Sequence, residues 1–242
     1  MNISSPRNPG CPSVRRPRHA AALIASALVL ATVAAGAATG SAAPAAAASA
    51  SLQKSSGSTL RVESQTSFST FNPFTAYFDG DLEVINEIYP FLTSLNSHNL
   101  PALYLATKWS ASADRLTWTF TLRSGLKWSD GKPLTAADAA WTLNLIMHNS
   151  VAGTANGALV AGFSTVTAPN PTTLVITTKQ PEANLLYLVQ QVPIVPEHIW
   201  VSQVSHLNAV KNQTTPVVGY GPWILTGYVS NQYATLTLGL RL

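Results

Sequence analysis

Alternating apolar and polar residues predict a strand over residues 116–122. Large apolar side chains take every second position with threonines between them, and the apolar set is Leu116, Trp118, Phe120 and Leu122. Period-two alternation is typical of a strand that buries one face and leaves the other polar. Asp130 and Gly131 follow after a short break and indicate a turn, since glycine tolerates positive φ.

A helix is predicted immediately after this turn. Thr135 and Asp138 have the three-residue spacing of a capping box, in which both side chains accept hydrogen bonds from backbone N–H groups. The helix should therefore begin at Ala136. Its apolar positions recur at helical spacing and predict a stripe that packs on the strand, formed by Ala139, Leu143 and Ile146 with Ala140 and Met147 beside them.

The same patterns predict further elements on either side of this unit. A helix capped by Asp81 is expected from Leu82 to about Phe91, and another is expected to open at Pro181 and Glu182. Residues 151–162 are weakly patterned and predict a loop or a short helix. Strand patterns occur at Leu60 and Val62, at 108–111, 163–167 and 174–178, and in a final hairpin over 223–238 that turns at Ser230 and Asn231.

The first 50 residues have the pattern of a secretory signal peptide. Basic residues precede an apolar run over 20–38, and several small-residue cleavage sites follow it. A retained membrane anchor is the alternative, because the run is nearly long enough to span a bilayer. Residues 42–58 are Ala- and Ser-rich without an apolar period, and the part at 51–58 is predicted to be a linker, so the fold should begin near Thr59.

Composition excludes several classes of function. The leader holds four of the 14 Lys and Arg residues and none of the 10 acids, so ten basic and ten acidic residues remain after it. The remaining basic residues are scattered, and no nucleic-acid partner is expected. Cys11 is the only cysteine and precedes the apolar run. The histidines lack metal-ligand spacing and no nucleophile elbow occurs, so we expect no metal, no cofactor and no catalytic residue.

The region around the predicted strand and turn resembles a known family. The run resembles the signature of bacterial solute-binding protein family 5, the oligopeptide, dipeptide and nickel receptors of ABC importers. The residues that carry the resemblance are Trp118, Phe120, Leu122, Arg123, Gly125, Lys127, Trp128, Ser129, Asp130, Gly131, Pro133, Leu134, Thr135, Ala136 and Asp138. A glycine-rich turn at Gly219 and Gly221 is also similar. Strand, turn and cap geometry accounts for these residue types, so the motif identifies the scaffold and not the ligand.

The resemblance implies an α+β, periplasmic-binding-protein type II-like fold without its second lobe. It divides the chain into a lobe I portion at 59–92 and 188–238, an inserted subdomain at 93–187, and a truncated end at 239–242. It also implies a monomeric, exported receptor, periplasmic or on the outer face of the cell membrane, that delivers solutes to ABC permease subunits. Peptide, nickel-chelate and sugar binders share this half of the scaffold.

The resemblance places the ligand cleft near Tyr77, Phe78 and Asp79, which follow an asparagine-proline step at Asn72. Two aromatic rings and a carboxylate could contact an extended peptide or fix an amino group. The alternative is that Phe78 packs inward and Asp79 only supports the turn at Gly80.

Two other functions compete with that of an importer component. The chain could be an exported surface or structural protein that retains the lobe but no longer serves transport. An exported hydrolase is the third hypothesis, and the absence of a nucleophile pattern disfavours it.

Overall fold

The computed structural model describes residues 68–211, 216–229 and 232–239. The predicted leader, the linker, the strand at Leu60 and Val62 and the turn at Ser230 and Asn231 lie outside these residues.

The described chain alternates short helices with antiparallel strands. The helices are α1 (Asp79–Ile88), α2 (Ala136–His148), α3 (Gly153–Val160), α4 (Leu185–Val189) and α5 (Glu197–Trp200), followed by a 3-10 helix (Val201–Ala209). The strands are β1 (Thr93–Leu95), β2 (Pro101–Leu103), β3 (Ala106–Ala111), β4 (Thr117–Leu122), β5 (Phe163–Asn170), β6 (Thr173–Thr178), β7 (Trp223–Val229) and β8 (Tyr233–Leu238). Most predicted elements are therefore confirmed in type.

A four-stranded sheet forms the centre, in the order β3-β4-β6-β5 with antiparallel neighbours. The predicted alternation in β4 is confirmed, because Trp118, Phe120 and Leu122 are buried and the threonines between them are not. Phe120 lies opposite Trp109 of β3 and Leu174 of β6. Helix α2 packs against β5 and β6 through its buried stripe. The predicted stripe therefore packs on the sheet that contains β4, but mainly through β5 and β6 and not through β4 itself.

The capping box at the start of α2 is confirmed, and it also connects distant parts of the chain. The Thr135 N–H donates to Asp138 Oδ2 over 2.9 Å, and the Ala137 N–H donates to the Thr135 hydroxyl over 3.2 Å. The second oxygen of Asp138 accepts the Glu197 N–H over 3.1 Å, at the start of α5. One carboxylate therefore both caps α2 and holds α5.

Replacing Asp138 by alanine is expected to lower the free energy of unfolding by about 2 kcal/mol, since a helix cap and a hydrogen bond to a buried carboxylate are lost together. Urea denaturation followed by far-UV circular dichroism measures this change. Ala137→Ser, at an exposed neighbouring position, is the control and should change stability by less than about 0.5 kcal/mol. Equal midpoints for the two variants would contradict the connecting role of Asp138.

Two hairpins flank the central sheet. Strands β1 and β2 pair antiparallel, and β7 pairs with β8 in the predicted final hairpin. Strand β7 packs against α1, and the Tyr228 hydroxyl donates to the Phe68 carbonyl over 3.0 Å. The end of the described chain therefore covers its beginning.

Several predicted boundaries are wrong. Helix α1 begins at Asp79 rather than Leu82 and ends at Ile88, because Phe78 is the N-cap residue and Asp81 points back to residues 69 and 70 instead of capping. Helix α4 begins at Leu185 and not at Pro181 and Glu182. The Glu182 carboxylate instead accepts the Asn184 N–H over 2.9 Å in the turn that precedes the helix. Strands β1 and β2 carry no alternation and were not predicted.

Within the described ranges, no helix is both long and apolar enough to cross a membrane. The division into a lobe I portion and an inserted subdomain at 93–187 stays a prediction.

Candidate functional site

Tyr77, Phe78 and Asp79 lie together at the start of α1, on the surface. The rings of Tyr77 and Phe78 are 65% and 46% exposed, with centroids 4.6 Å apart and planes inclined by 37°. Asp79 is exposed in the first turn of α1, where a negative charge interacts favourably with the helix dipole. The structure thus brings the three predicted residues into one group. Phe78 is not buried, contrary to the alternative expectation that it packs inward.

The buried carboxylate of Asp81 fixes the chain that leads into this group. Asp81 is 0% exposed. Its Oδ1 accepts the Ser69 N–H over 2.7 Å and the Thr70 N–H over 3.3 Å, and its Oδ2 accepts the Ser69 hydroxyl over 2.7 Å. A buried carboxylate needs such donors to offset its desolvation. Asp81 therefore ties the segment before Asn72 to α1.

The buried side chain of Asn72 connects the same segment to the 3-10 helix. Its amide donates to the carbonyls of Leu207 and Val210 over 2.9 and 3.0 Å, and its oxygen accepts the Phe74 N–H over 3.0 Å. On the other side, Asn156 of α3 donates to the Pro73 carbonyl over 3.0 Å. The exposed aromatic pair thus projects from a loop that is anchored to three helices.

The signature turn, residues 129–131 of the run that resembles the family, contacts a distant segment. It does not contact the group formed by Tyr77, Phe78 and Asp79. Ser129 and Gly219 exchange two hydrogen bonds: the Ser129 N–H donates to the Gly219 carbonyl over 2.9 Å, and the Gly219 N–H donates to the Ser129 hydroxyl oxygen over 3.1 Å. Beside them, Asp130 Oδ2 and His198 Nε2 lie 2.7 Å apart. These contacts hold the turn to α5 and to the chain that enters β7, so Ser129 and Asp130 act as scaffold.

The glycine-rich turn at Gly219 and Gly221 lies against the C-terminal end of α1. The N–H groups of Tyr220 and Gly221 both donate to the Ile88 carbonyl, over 2.9 and 2.6 Å, and so satisfy a helix-end acceptor. A Cβ atom on Gly221 would lie 1.9 Å from the Glu87 carbonyl oxygen, and one on Gly219 would lie 2.4 Å from that of Ile88. Sequence reasoning identified the turn but could not reveal this close approach.

A shallow depression of about 560 Å³ opens between the signature turn and Tyr220. Two basic residues (Arg123 and Lys127), two hydroxyl-bearing residues (Ser129 and Tyr220), Leu126 and two glycines line it. The depression lies near the C-terminal end of α1, whereas Tyr77 lies at the N-terminal end. The length of the helix, about 15 Å for ten residues, therefore separates them. The sequence pattern does not predict this depression, because its basic and hydroxyl-bearing residues come together only where the signature turn meets the turn at Gly219 and Gly221.

Three ionisable groups near these turns have shifted pKa values. Partial burial opposes ionisation of Asp130, but hydrogen bonds from His198 and from the Lys132 N–H outweigh it and lower the pKa of this carboxyl. Burial, and then the charge of Asp138, raise the pKa of Glu197. Burial also raises the pKa of Tyr104, and the charges of Tyr220 and Glu87 add to that rise. The side chains of Tyr220 and Glu87 therefore both lie near Tyr104.

No group of three His, Cys, Asp or Glu side chains in the described part of the chain is arranged to hold a metal ion. The described side chains present exposed aromatic, carboxylate and basic groups suited to non-covalent binding.

Comparisons with known proteins agree with this architecture. The sequence model of the bacterial extracellular solute-binding proteins, family 5 Middle, matches residues 101–238, more than half of the chain. A Brucella ovis protein named as an ABC transporter peptide-binding protein is 36% identical over 136 residues, which are 55% of this chain and 25% of that protein. The dipeptide-binding protein DppE of Bacillus subtilis is 28% identical over 198 residues, which are 76% of this chain and 36% of DppE.

A solved structure supports the fold. The oligopeptide-binding protein AppA of Bacillus subtilis, in complex with a nonapeptide, superposes with a TM-score of 0.64 at 21% identity, covering 71% of this chain and 34% of AppA. The predicted type II periplasmic-binding-protein fold is thereby confirmed. The chain spans about a quarter to a third of the length of these proteins. The chain belongs to the bacterial extracellular solute-binding proteins of family 5.

Proposed function

We propose that this chain is part of the solute-binding component of an ABC importer, that its solute is an oligopeptide, and that it acts outside the cytoplasm with ABC permease subunits as partners. Support comes from the family and from relatives whose names describe peptide or dipeptide binding. The signal-peptide pattern of the first 50 residues supports export.

The observation that carries the proposal is the exposed pair of Tyr77 and Phe78 beside the carboxylate of Asp79. Exposed apolar patches often mark binding sites, and burying aromatic rings is a large source of free energy. The rings offer apolar faces to the side chains of a peptide, and Asp79 offers an acceptor and a negative charge to its amino group. The anchored loop holds the three residues in place before the peptide arrives, which reduces the entropy lost on binding.

We propose further that this chain supplies one wall of the binding cleft, divided into a lobe I portion at 59–92 and 188–238 and an inserted subdomain at 93–187. A peptide that touches one wall stays largely in water, whereas solute sites commonly bury most of their ligand. We therefore expect these 242 residues alone to bind a peptide more weakly than micromolar.

Replacing Tyr77 or Phe78 by alanine should weaken the binding of pentaalanine by about tenfold, since truncating an aromatic contact residue costs more than about 1 kcal/mol. Two-dimensional NMR titration of the full chain gives the dissociation constants, and thermal unfolding gives the midpoint temperatures. Tyr233→Ala is the matched control, because Tyr233 is also an exposed aromatic residue but lies on β8. The unfolding midpoints of all three variants should remain near that of the parent chain.

The outcomes separate this proposal from the alternative of an exported surface protein that no longer serves transport. Peptide-dependent shifts around Tyr77 that are lost in the two variants but kept in Tyr233→Ala support the binding role. The site is contradicted if Tyr233→Ala weakens peptide binding as much as the other two variants do. It is also contradicted if the chain binds the peptide with micromolar affinity and replacing Tyr77 or Phe78 leaves that affinity unchanged. Permease and ATPase genes beside this gene would support transport, and their absence together with no peptide response would favour the surface protein.

A further inference from the structure

The depression between the signature turn and Tyr220 has an electrostatic character that the solute site at Tyr77 does not share. Among its lining residues Arg123 and Lys127 are basic, and none is acidic. Across residues 68–211, 216–229 and 232–239 neither of these two cations forms an ion pair, since the single pair found there joins His198 to Asp130. The depression therefore carries two positive charges without a bound counter-charge.

The nearest acidic residue of the turn is directed elsewhere. Asp130 lies between two lining residues, yet its Oδ2 is 2.7 Å from His198 Nε2 and its Oδ1 accepts the Lys132 N–H over 3.0 Å. Its Oδ2 is thus engaged by α5 and its Oδ1 by the turn itself. Asp130 leaves Arg123 and Lys127 free to attract an external anion.

The walls of the depression are rigidly placed, although the two cations themselves are exposed. The two hydrogen bonds between Ser129 and Gly219 join its two sides, and Tyr220 is held by its N–H bond to the Ile88 carbonyl. The Arg123 N–H donates to the Leu105 carbonyl over 3.0 Å, which fixes the start of the turn. Preorganised walls lower the entropic cost of holding a ligand.

We propose that this depression binds a carboxylate group, with the side chains of Arg123 and Lys127 as its cationic contacts. The planar guanidinium of arginine matches a carboxylate through two parallel hydrogen bonds, and lysine adds a mobile positive charge. The volume of about 560 Å³ accommodates the end of a peptide or a small organic acid. The C-terminus of a peptide and a small organic acid both carry a carboxylate group.

The proposal is tested by NMR titration of the full chain with acetyl-trialanine, which has a free carboxylate, and with its C-terminal amide, which does not. We expect shifts in the backbone signals of residues 123–131 with the carboxylate form and at least fivefold weaker binding of the amide. A third titration with succinate distinguishes the two sources. Succinate binding as strong as that of the peptide assigns the site to small acids, and weaker binding assigns it to a peptide C-terminus.

Two variants sharpen the test at one ionic strength. Arg123→Gln combined with Lys127→Gln should weaken carboxylate binding at least fivefold. Arg115→Gln is the control, because Arg115 is an exposed cation that precedes β4, at the opposite end of that strand from Arg123. Unchanged unfolding midpoints establish that both chains are folded.

Three results would overturn the carboxylate site: no shifts at residues 123–131, equal binding of the acid and the amide, or equal weakening by Arg115→Gln. The last would mean non-specific attraction to positive charge. The Tyr77→Ala chain should keep its carboxylate binding, so failure of the peptide site and failure of this site remain distinguishable.

Discussion

Gly221→Ala is expected to lower the free energy of unfolding by about 3 kcal/mol or more. The added methyl group would lie 1.9 Å from the Glu87 carbonyl oxygen, which is backbone and cannot rotate away as a side chain could. The turn must therefore separate from α1, and the two N–H bonds to the Ile88 carbonyl weaken with it. Urea denaturation of the full chain, followed by tryptophan fluorescence, measures the loss.

Gly157→Ala is the matched control for this change. Gly157 lies inside α3, and a Cβ atom built there meets nothing within 4 Å. Alanine is a better helix former than glycine by about 1 kcal/mol, so this variant should be as stable as the parent chain or more stable. A Gly221→Ala chain that unfolds at the same urea concentration as Gly157→Ala would refute the close contact between the turn and the helix.

Phe120→Ala should cost about 3 to 5 kcal/mol, the range measured when a buried aromatic side chain is truncated in a packed core. Phe120 is 0% exposed and lies on the central strand β4, opposite Trp109 and Leu174. The loss combines the transfer free energy of the ring with the cavity that remains, since neighbours on two strands cannot both collapse into it. The urea midpoint again provides the measurement.

Thr121→Ala is the control for Phe120→Ala, because Thr121 is the next residue of the same strand and faces the exposed side of the sheet. Its effect should remain within about 0.5 kcal/mol. Similar losses for the two variants would mean that the predicted alternation does not determine which face of β4 is buried.

The elements predicted best are those whose sequence patterns depend only on residues close together in the chain. The alternation of Trp118, Phe120 and Leu122 and the capping box of Thr135 and Asp138 act within a few residues, so the pattern alone locates β4 and the start of α2. The family resemblance extended this unit to the type II binding-protein fold.

The boundaries that failed depend on distant partners. Asp81 has the residue type of a helix cap, yet the Ser69 and Thr70 N–H groups donate to its carboxylate, and the helix begins at Asp79, three residues before the predicted start. The depression depends on the meeting of Arg123 and Lys127 with Tyr220, about 90 residues away, and no spacing rule connects them. The grouping of Tyr77, Phe78 and Asp79 was predicted from the resemblance, whereas their anchoring through Asn72 requires the positions of Leu207 and Val210.

The long sequence separation of these anchoring contacts has a consequence for the order of folding. Asn72 is separated by 135 residues from Leu207, and Phe68 by 160 residues from Tyr228. Strands β3 to β6 pair over much shorter distances and can form before the more distant contacts do. Helix α1 must wait with its apolar face uncovered until β7 arrives. Refolding should therefore be biphasic, and the chain is most exposed to aggregation in the interval between the two phases.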